Sequence, residues 1–259
     1  MGHVTSLLWH DVYVDDPAES GFNDPLAHRY KLRHDECDRL LAAIDGARPP
    51  MTLVASAAGA LTPAVALTVD DGGRSFLTLL ADRLEARGWR GHAFMTTGMM
   101  GRPGFLTAAD LREIDHRGHV VGTHSATHPQ RFSACSWDRM VREWADSRSA
   151  LEDVLGHAVE VGSLPGGYLS RRVARAAAHA GLRVLFTSEP VRTPWTVDGC
   201  LLVGRFTVRP GQSPTALAAL AAGSRGPWLR QRALWTAKKL VKPLLGAAYP
   251  RVGAWMAAR

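Results

Sequence analysis

Residues Val65–Gly73 read VALTVDDGG, an apolar run that ends in two adjacent carboxylates and two glycines. Small and β-branched residues in an unbroken run of this length suit a strand buried on both faces, as in parallel sheets. In α/β folds, sites assemble at the C-terminal ends of such strands, so Asp70 and Asp71 stand where chemistry is done. Six further segments have the same short apolar character: Ser6–Trp9, His92–Thr96, Val120–Thr123, Val159–Ser163, Val184–Thr187 and Leu201–Thr207. Helical patterns lie around and between them at Asp35–Asp45, Ser75–Arg87, Thr107–Arg117, Ser136–Leu155 and Ser170–Ala180. Thr107 fits an N-cap, and Gly88, Gly118, Gly156 and Gly181 sit where helices stop. The alternation predicts an α/β fold with a mainly parallel sheet.

A chain of 259 residues can bury one sizeable core, and 46% apolar with 21% charged residues is ordinary for a soluble globular protein. No window is apolar for long enough to span a bilayer. The most apolar stretch, Leu53–Leu67, is interrupted by Gly59 and Pro63, and residues 46–62 read as a surface loop or insertion. The opening MGHVTSLLWHDVYVDD lacks a basic leader, so no signal peptide is expected. Cys37, Cys135 and Cys200 are odd in number and widely spaced, which fits buried thiols in a reducing compartment. A cytoplasmic protein is expected on these grounds.

The net charge of +7 is uneven. Ten basic residues lie beyond Asp198, the last acidic one, so residues 1–198 carry −3. From Ser213 onward the chain is helical in propensity, and 237–259 is basic, with Trp235, Leu240, Val241, Leu244 and Leu245 on a rough apolar face. Such a segment reads as an interfacial anchor that contacts a membrane surface, or equally as a docking helix or a solvated tail. No nucleic-acid reader motif accompanies the basic residues, so no nucleic-acid partner is expected.

His124–Pro129 reads HSATHP after a second apolar run. Histidines four residues apart share one face of a helical turn and can reach one ion. Two imidazoles with one carboxylate leave an open position for water, the pattern of a catalytic zinc. Of the adjacent acids Asp70 and Asp71, one can bind the metal while its neighbour accepts a proton. Each motif alone has a plainer reading: DDG as an Asp–Gly turn before a helix, and the histidine pair as coincidence.

Together, LTVDDGG and HSATHP resemble the T-F-D-D-G and H-S/T-x-x-H-P motifs of the polysaccharide deacetylases with the NodB homology domain, carbohydrate esterase family 4. The resemblance runs through roughly residues 5–210. It implies a single distorted, seven-stranded (β/α)-barrel-like domain over residues 1–212, with a basic helical C-terminal extension over 213–259. It also implies Asp70 as catalytic base and Asp71, His124 and His128 as ligands of a divalent metal, most plausibly zinc. The implied reaction removes N-acetyl groups from a glycan or glycan precursor, with an N-acetylated saccharide as substrate. Val69 stands where the family has an aromatic residue.

Three family motifs are altered. The oxyanion loop corresponds to Pro165, Gly166, Gly167 and Tyr168, without its orienting arginine, for which Arg171 or Arg172 is a candidate. The fourth motif has no counterpart in LFTSEP (185–190), where Ser188 or Glu189 is the nearest candidate. The late histidine that supplies the general acid is absent from LLVGRFTV (201–208), whereas SLLWHDV (6–12) ends a strand in His-Asp. This order is similar to that of the circularly permuted poly-N-acetylglucosamine deacetylases. It makes His10 the general acid and Asp11 a candidate partner for its ring. The departures leave a rival open: a catalytically weak glycan-binding relative, associated with a membrane surface through its tail.

Overall fold

The computed structural model describes residues 3–46, 52 and 64–245, with side chains as far as 237. The insertion read at 46–62 and the end of the basic segment therefore lie almost wholly outside the described residues. In chain order the strands are β1 (Val4–Trp9), β2 (Val12–Tyr13), β3 (Leu32–Arg33), β4 (Ala64–Val69), β5 (His92–Met95), β6 (Val120–Thr123), β7 (Val161–Ser163), β8 (Val184–Phe186), β9 (Trp195–Val197), β10 (Cys200–Val203) and β11 (Arg205–Thr207). The helices are α1 (Pro25–His28), α2 (His34–Asp45), α3 (Ala81–Glu85, entered through a π-helical turn over Phe76–Leu80), α4 (Ala108–His116), α5 (Trp137–Leu155), α6 (Arg171–His179), α7 (Pro214–Ala221) and α8 (Arg225–Leu245). Among the described residues no helix is long and apolar enough to cross a membrane.

The main sheet runs β11-β1-β4-β5-β6-β7-β8-β10-β9, and every pairing is parallel except β10 with β9. All seven expected strands are present, but Leu201–Thr207 is two strands rather than one. β10 pairs with β8, whereas β11 pairs with β1 at the other end of the order. Gly204 alone separates them, so the two ends of the sheet meet and the sheet curls into a barrel-like shape. No ladder joins β10 to β11 among the described residues. A Cβ at Gly204 would come within 2.4 Å of the carbonyl oxygens of Glu189 and Val191, which is why only glycine fits at this switch.

Side chains alternate across each strand. Val65, Leu67 and Val69 face the helices with Leu7, Trp9, Leu40 and Ile44, while Ala66 faces inward with Val4, Phe94 and Phe186. Well-formed caps fix the helix positions. Thr107 and Asp110 make a capping box on α4, Ser136 caps α5, and Gly156 ends α5 at φ 76°. The segment read as an extension begins inside the core, since Leu217, Leu220 and Ala221 of α7 are buried in the same cluster as Leu40 and Ile44. Cys37 and Cys200 are buried free thiols and Cys135 is half-buried. Burial pushes the Cys37 and Cys200 thiols up to about 12, so they pack as small apolar groups.

Candidate active site

Parity along the strands assembles the site. Ala66 and Thr68 precede Asp70 on the inward face of β4, and Gly122 precedes His124 on that of β6. Leu8 precedes His10 at the end of β1. Trp9 pairs with Val69, and the Asp70 N–H donates to the Trp9 carbonyl at 3.1 Å, so His10 and Asp70 leave neighbouring strands at one level. Asp71 has the opposite parity, and its backbone at φ 78° returns it to the same end. Ser125 and His128 also lie at positive φ, 67° and 54°. Three of the four such non-glycine residues among those described therefore belong to this site, where backbone strain is commonly held by the surroundings.

The expected helical turn over His124–His128 does not form. Ser125 and His128 in the left-handed region exclude it, and side chains hold the loop instead. Thr123 Oγ1 accepts the Ser125 N–H, Ser125 Oγ accepts the His128 N–H, and Glu143 accepts both the N–H and the hydroxyl of Thr127. The two imidazoles still meet, with ring centroids 5.0 Å apart.

Asp71, His124 and His128 place one ligand atom each within 4.8 Å of one another. Asp71 Oδ1 lies 3.4 Å from His124 Nε2 and 3.6 Å from His128 Nε2. Donors about 2.1 Å from a tetrahedral zinc are separated by roughly 3.4 Å, so both Asp71–histidine separations suit such an ion. The tautomer fits as well. His124 Nδ1 lies 2.9 Å from the Ser163 carbonyl, which can only accept, so Nδ1 carries the proton and the Nε2 lone pair faces the carboxylate. Two electron-rich atoms facing each other in a buried place call for a cation or a proton between them. Burial lowers the His124 pKa, but Asp70 and Asp71 outweigh it and the net shift is upward. At Asp71, burial is overcome by the imidazoles of His124, His10 and His128 around it, and its pKa falls. Burial, reinforced by His124, lowers that of His128.

Asp70 has a different environment. Arg205 grips it through two parallel bonds, Nη1 to Oδ1 at 2.7 Å and Nη2 to Oδ2 at 2.8 Å, and the Ser163 hydroxyl donates to Oδ1 at 2.8 Å. The guanidinium, 1% exposed, also donates to Thr68 Oγ1, Ser163 Oγ and the Thr187 carbonyl, so its donors are engaged. Burial raises the Asp70 pKa, but Arg205 and His124 outweigh that and hold it low. Arg205 therefore takes the place expected for Arg171 or Arg172, both of which are exposed on α6. The sequence does carry a signal, because an arginine in the apolar run LLVGRFTV has to be paired if the strand is buried.

His10 packs on Tyr30, with ring centroids 4.9 Å apart, and its buried Nδ1 has no hydrogen-bond partner. Burial lowers its pKa, and the charges of Asp71 and Asp70 oppose this. Asp11 is not the partner of this ring. Its Oδ1 accepts from the hydroxyls of Ser20 and Ser75, and it braces the loop after β1. Gly166 and Gly167 in the Pro165–Tyr168 turn both adopt left-handed conformations, φ 65° and 69°, which only glycine holds at little cost. The turn packs between the Gln130 carbonyl, just beyond His128, and Ser188. Ser188 adjoins this turn, and Glu189 accepts the Trp235 indole N–H at 3.1 Å.

Comparison with known proteins agrees with this geometry. The family model described as polysaccharide deacetylase matches residues 59–185. YheN of Bacillus subtilis (strain 168), provisionally named a polysaccharide deacetylase, is 27% identical over 134 residues, 52% of this chain and 44% of that protein. YxkH of the same organism, named in the same provisional way, is 24% identical over 155 residues, 60% of this chain and 55% of that one. The chain thus spans about half the length of the curated relatives it matches. The solved structure of IcaB from Ammonifex degensii superposes with a TM-score of 0.69 at 21% identity, over 86% of this chain and 98% of that one. The Streptococcus pyogenes deacetylase PplD, solved in complex with acetate, gives 0.67 at 20%, over 82% and 95%. These likenesses establish the fold.

Proposed function

We propose that this chain, which matches the polysaccharide deacetylase family model over residues 59–185, is a metal-dependent hydrolase that removes N-acetyl groups from a glycan or glycan precursor. The observation that carries the reading is the spacing of Asp71, His124 and His128 about a common point, beside a second carboxylate that is held apart from it. Asp71, His124 and His128 would hold a divalent cation, and one oxygen with two nitrogen donors suits zinc. When bound, such a cation polarises an acetamide carbonyl and makes an attacking water more acidic.

The remaining steps belong to the protein. Asp70 stays ionised because Arg205 and His124 offset its burial, so the base is available throughout the neutral range. The same pairing makes it a weak base. Asp70 takes the proton of the water as its oxygen attacks the acyl carbon. Backbone N–H groups of the Pro165–Tyr168 turn stabilise the oxyanion as the tetrahedral centre forms. His10 then protonates the departing nitrogen as the C–N bond breaks. A depressed pKa makes its imidazolium a stronger acid. The products are acetate and a free amino sugar. The topology supports His10 in this role, because β1 lies between β11 and β4 and delivers the ring beside Asp70.

The test is acetate release from N-acetylated oligosaccharides by purified protein, before and after chelation and with zinc restored. Turnover that chelation abolishes and zinc restores is expected. Full turnover by the metal-stripped protein would overturn the reading, and binding without release would favour the non-catalytic glycan binder.

A further inference from the structure

A cavity of about 1150 Å³ opens on the flank of the sheet, walled by β9, β10, the start of α6 and α8. None of His10, Asp70, Asp71, His124 and His128 lines it. Leu169, the residue after the Pro165–Tyr168 turn, is among its lining residues. Four guanidinium groups line it, those of Arg171, Arg192, Arg225 and Arg232, against a single carboxylate, Glu189. That carboxylate already accepts the Trp235 N–H. Among the described residues no carboxylate forms an ion pair with Arg171, Arg225 or Arg232. The walls between the arginines are apolar: Trp195, Val197, Leu202, Trp228 and Leu229. Leu229 is 51% exposed.

The cavity is braced. Arg192 Nη1 donates to the Gly223 carbonyl at 2.8 Å and ties the α7–α8 link to the loop before β9. The Trp228 indole donates to the Pro190 carbonyl at 3.1 Å, and the Arg232 guanidinium lies 5.5 Å from the centre of the Trp228 ring. The like charges of Arg171, Arg225 and Arg232 around one apolar hollow repel one another, and the hollow leaves apolar surface wet. A ligand that relieves both carries an anion and an apolar body together. Guanidinium forks match phosphate oxygens in particular, since they offer paired donors in a fixed geometry.

We propose that this cavity is a binding site for a phosphate ester that carries a long hydrocarbon chain, with the phosphate among Arg171, Arg192, Arg225 and Arg232 and the chain against Trp195, Leu202 and Trp228. A free sugar phosphate would leave the apolar walls wet, and a neutral lipid would leave Arg171, Arg225 and Arg232 without an anion. The site is independent of the hydrolase reading. If both hold, the cavity anchors a lipid-linked saccharide whose sugar extends past Leu169 toward the Pro165–Tyr168 turn.

Binding can be read without turnover. Titration calorimetry of the full chain with farnesyl phosphate, below its micelle concentration, should give saturable one-to-one binding. Arg225→Glu/Arg232→Glu should weaken it by about tenfold or more, the loss of charge-assisted bonds. Arg172→Glu/Arg230→Glu makes the same change in net charge outside the cavity and should leave it unaltered. All four positions are exposed, so both variants should keep the parent melting temperature. Equal weakening in the two double variants would overturn the site, as would equal affinity for farnesol or for inorganic phosphate.

Discussion

Asp70 and Asp71 are neighbours in sequence with opposite assignments. Asp71 faces two imidazoles and nothing that neutralises it permanently, so it can share an incoming cation. Asp70 is locked by Arg205, 135 residues away, and by Ser163, 93 residues away. One carboxylate is open to exchange while the other is a fixed charge. The difference teaches that a pair of identical groups divides its labour by what surrounds each, and that the environment of Asp70 comes almost wholly from distant parts of the chain.

The largest test of this division is at the ligands. Asp71→Asn or His124→Ala should weaken zinc binding by more than about 100-fold, beyond the effect typical of losing an outer partner, and acetate release should fall to background. Equilibrium dialysis alongside turnover reads both. Asp70→Asn should do the reverse and keep zinc while kcat drops on the order of 10²–10⁴-fold. If Asp70→Asn loses zinc as well, the two acids are not separate in role. His10→Ala is expected to behave like Asp70→Asn, with metal retained and kcat lowered by about 10²-fold or more.

Next comes Arg205. Arg205→Met strands a buried carboxylate and should cost about 3–5 kcal/mol in chemical denaturation. Adding Asp70→Asn should recover much of that loss, because the unpaired charge is gone. If both single variants and the double were equally stable, the ion pair would have no hold on the fold.

The smallest expected effect sharpens the contrast with a third acid. Burial, partly offset by bonds from Ser20 and Ser75, pushes Asp11 up from 3.8 to about 6. The folded protein thus holds this proton more tightly than the unfolded chain. Its contribution to stability is fully present below about pH 4 and is lost as pH rises through 6, by up to about 3 kcal/mol. Asp11→Asn should flatten the melting temperature over that window, and an unchanged profile would remove Asp11 from the account.

The sheet, most helices and the residues of the Asp71, His124 and His128 cluster were readable in the sequence because they rest on local signals. Apolar runs, caps, stop glycines, and the DDG and HxxxH spacings each lie within a few residues. What was not readable depended on residues meeting from afar. Arg205 was missed because a lone arginine in an apolar strand does not say which acid it meets. The break at Gly204 was missed because β10 and β11 continue one apolar run, and only the curling of the sheet sends them to different partners. Asp11 looked like a partner for His10 by adjacency, but successive side chains after a strand diverge, and it turned to Ser20 and Ser75. The basic segment read as a tail, yet α7 is core and Trp235 of α8 reaches Glu189. Sequence by itself determined which residues are the candidates for chemistry and that they lie at strand ends. Only the tertiary structure decided their partners, because a charge buried at one end of a curled sheet is neutralised by whatever the far end brings to it.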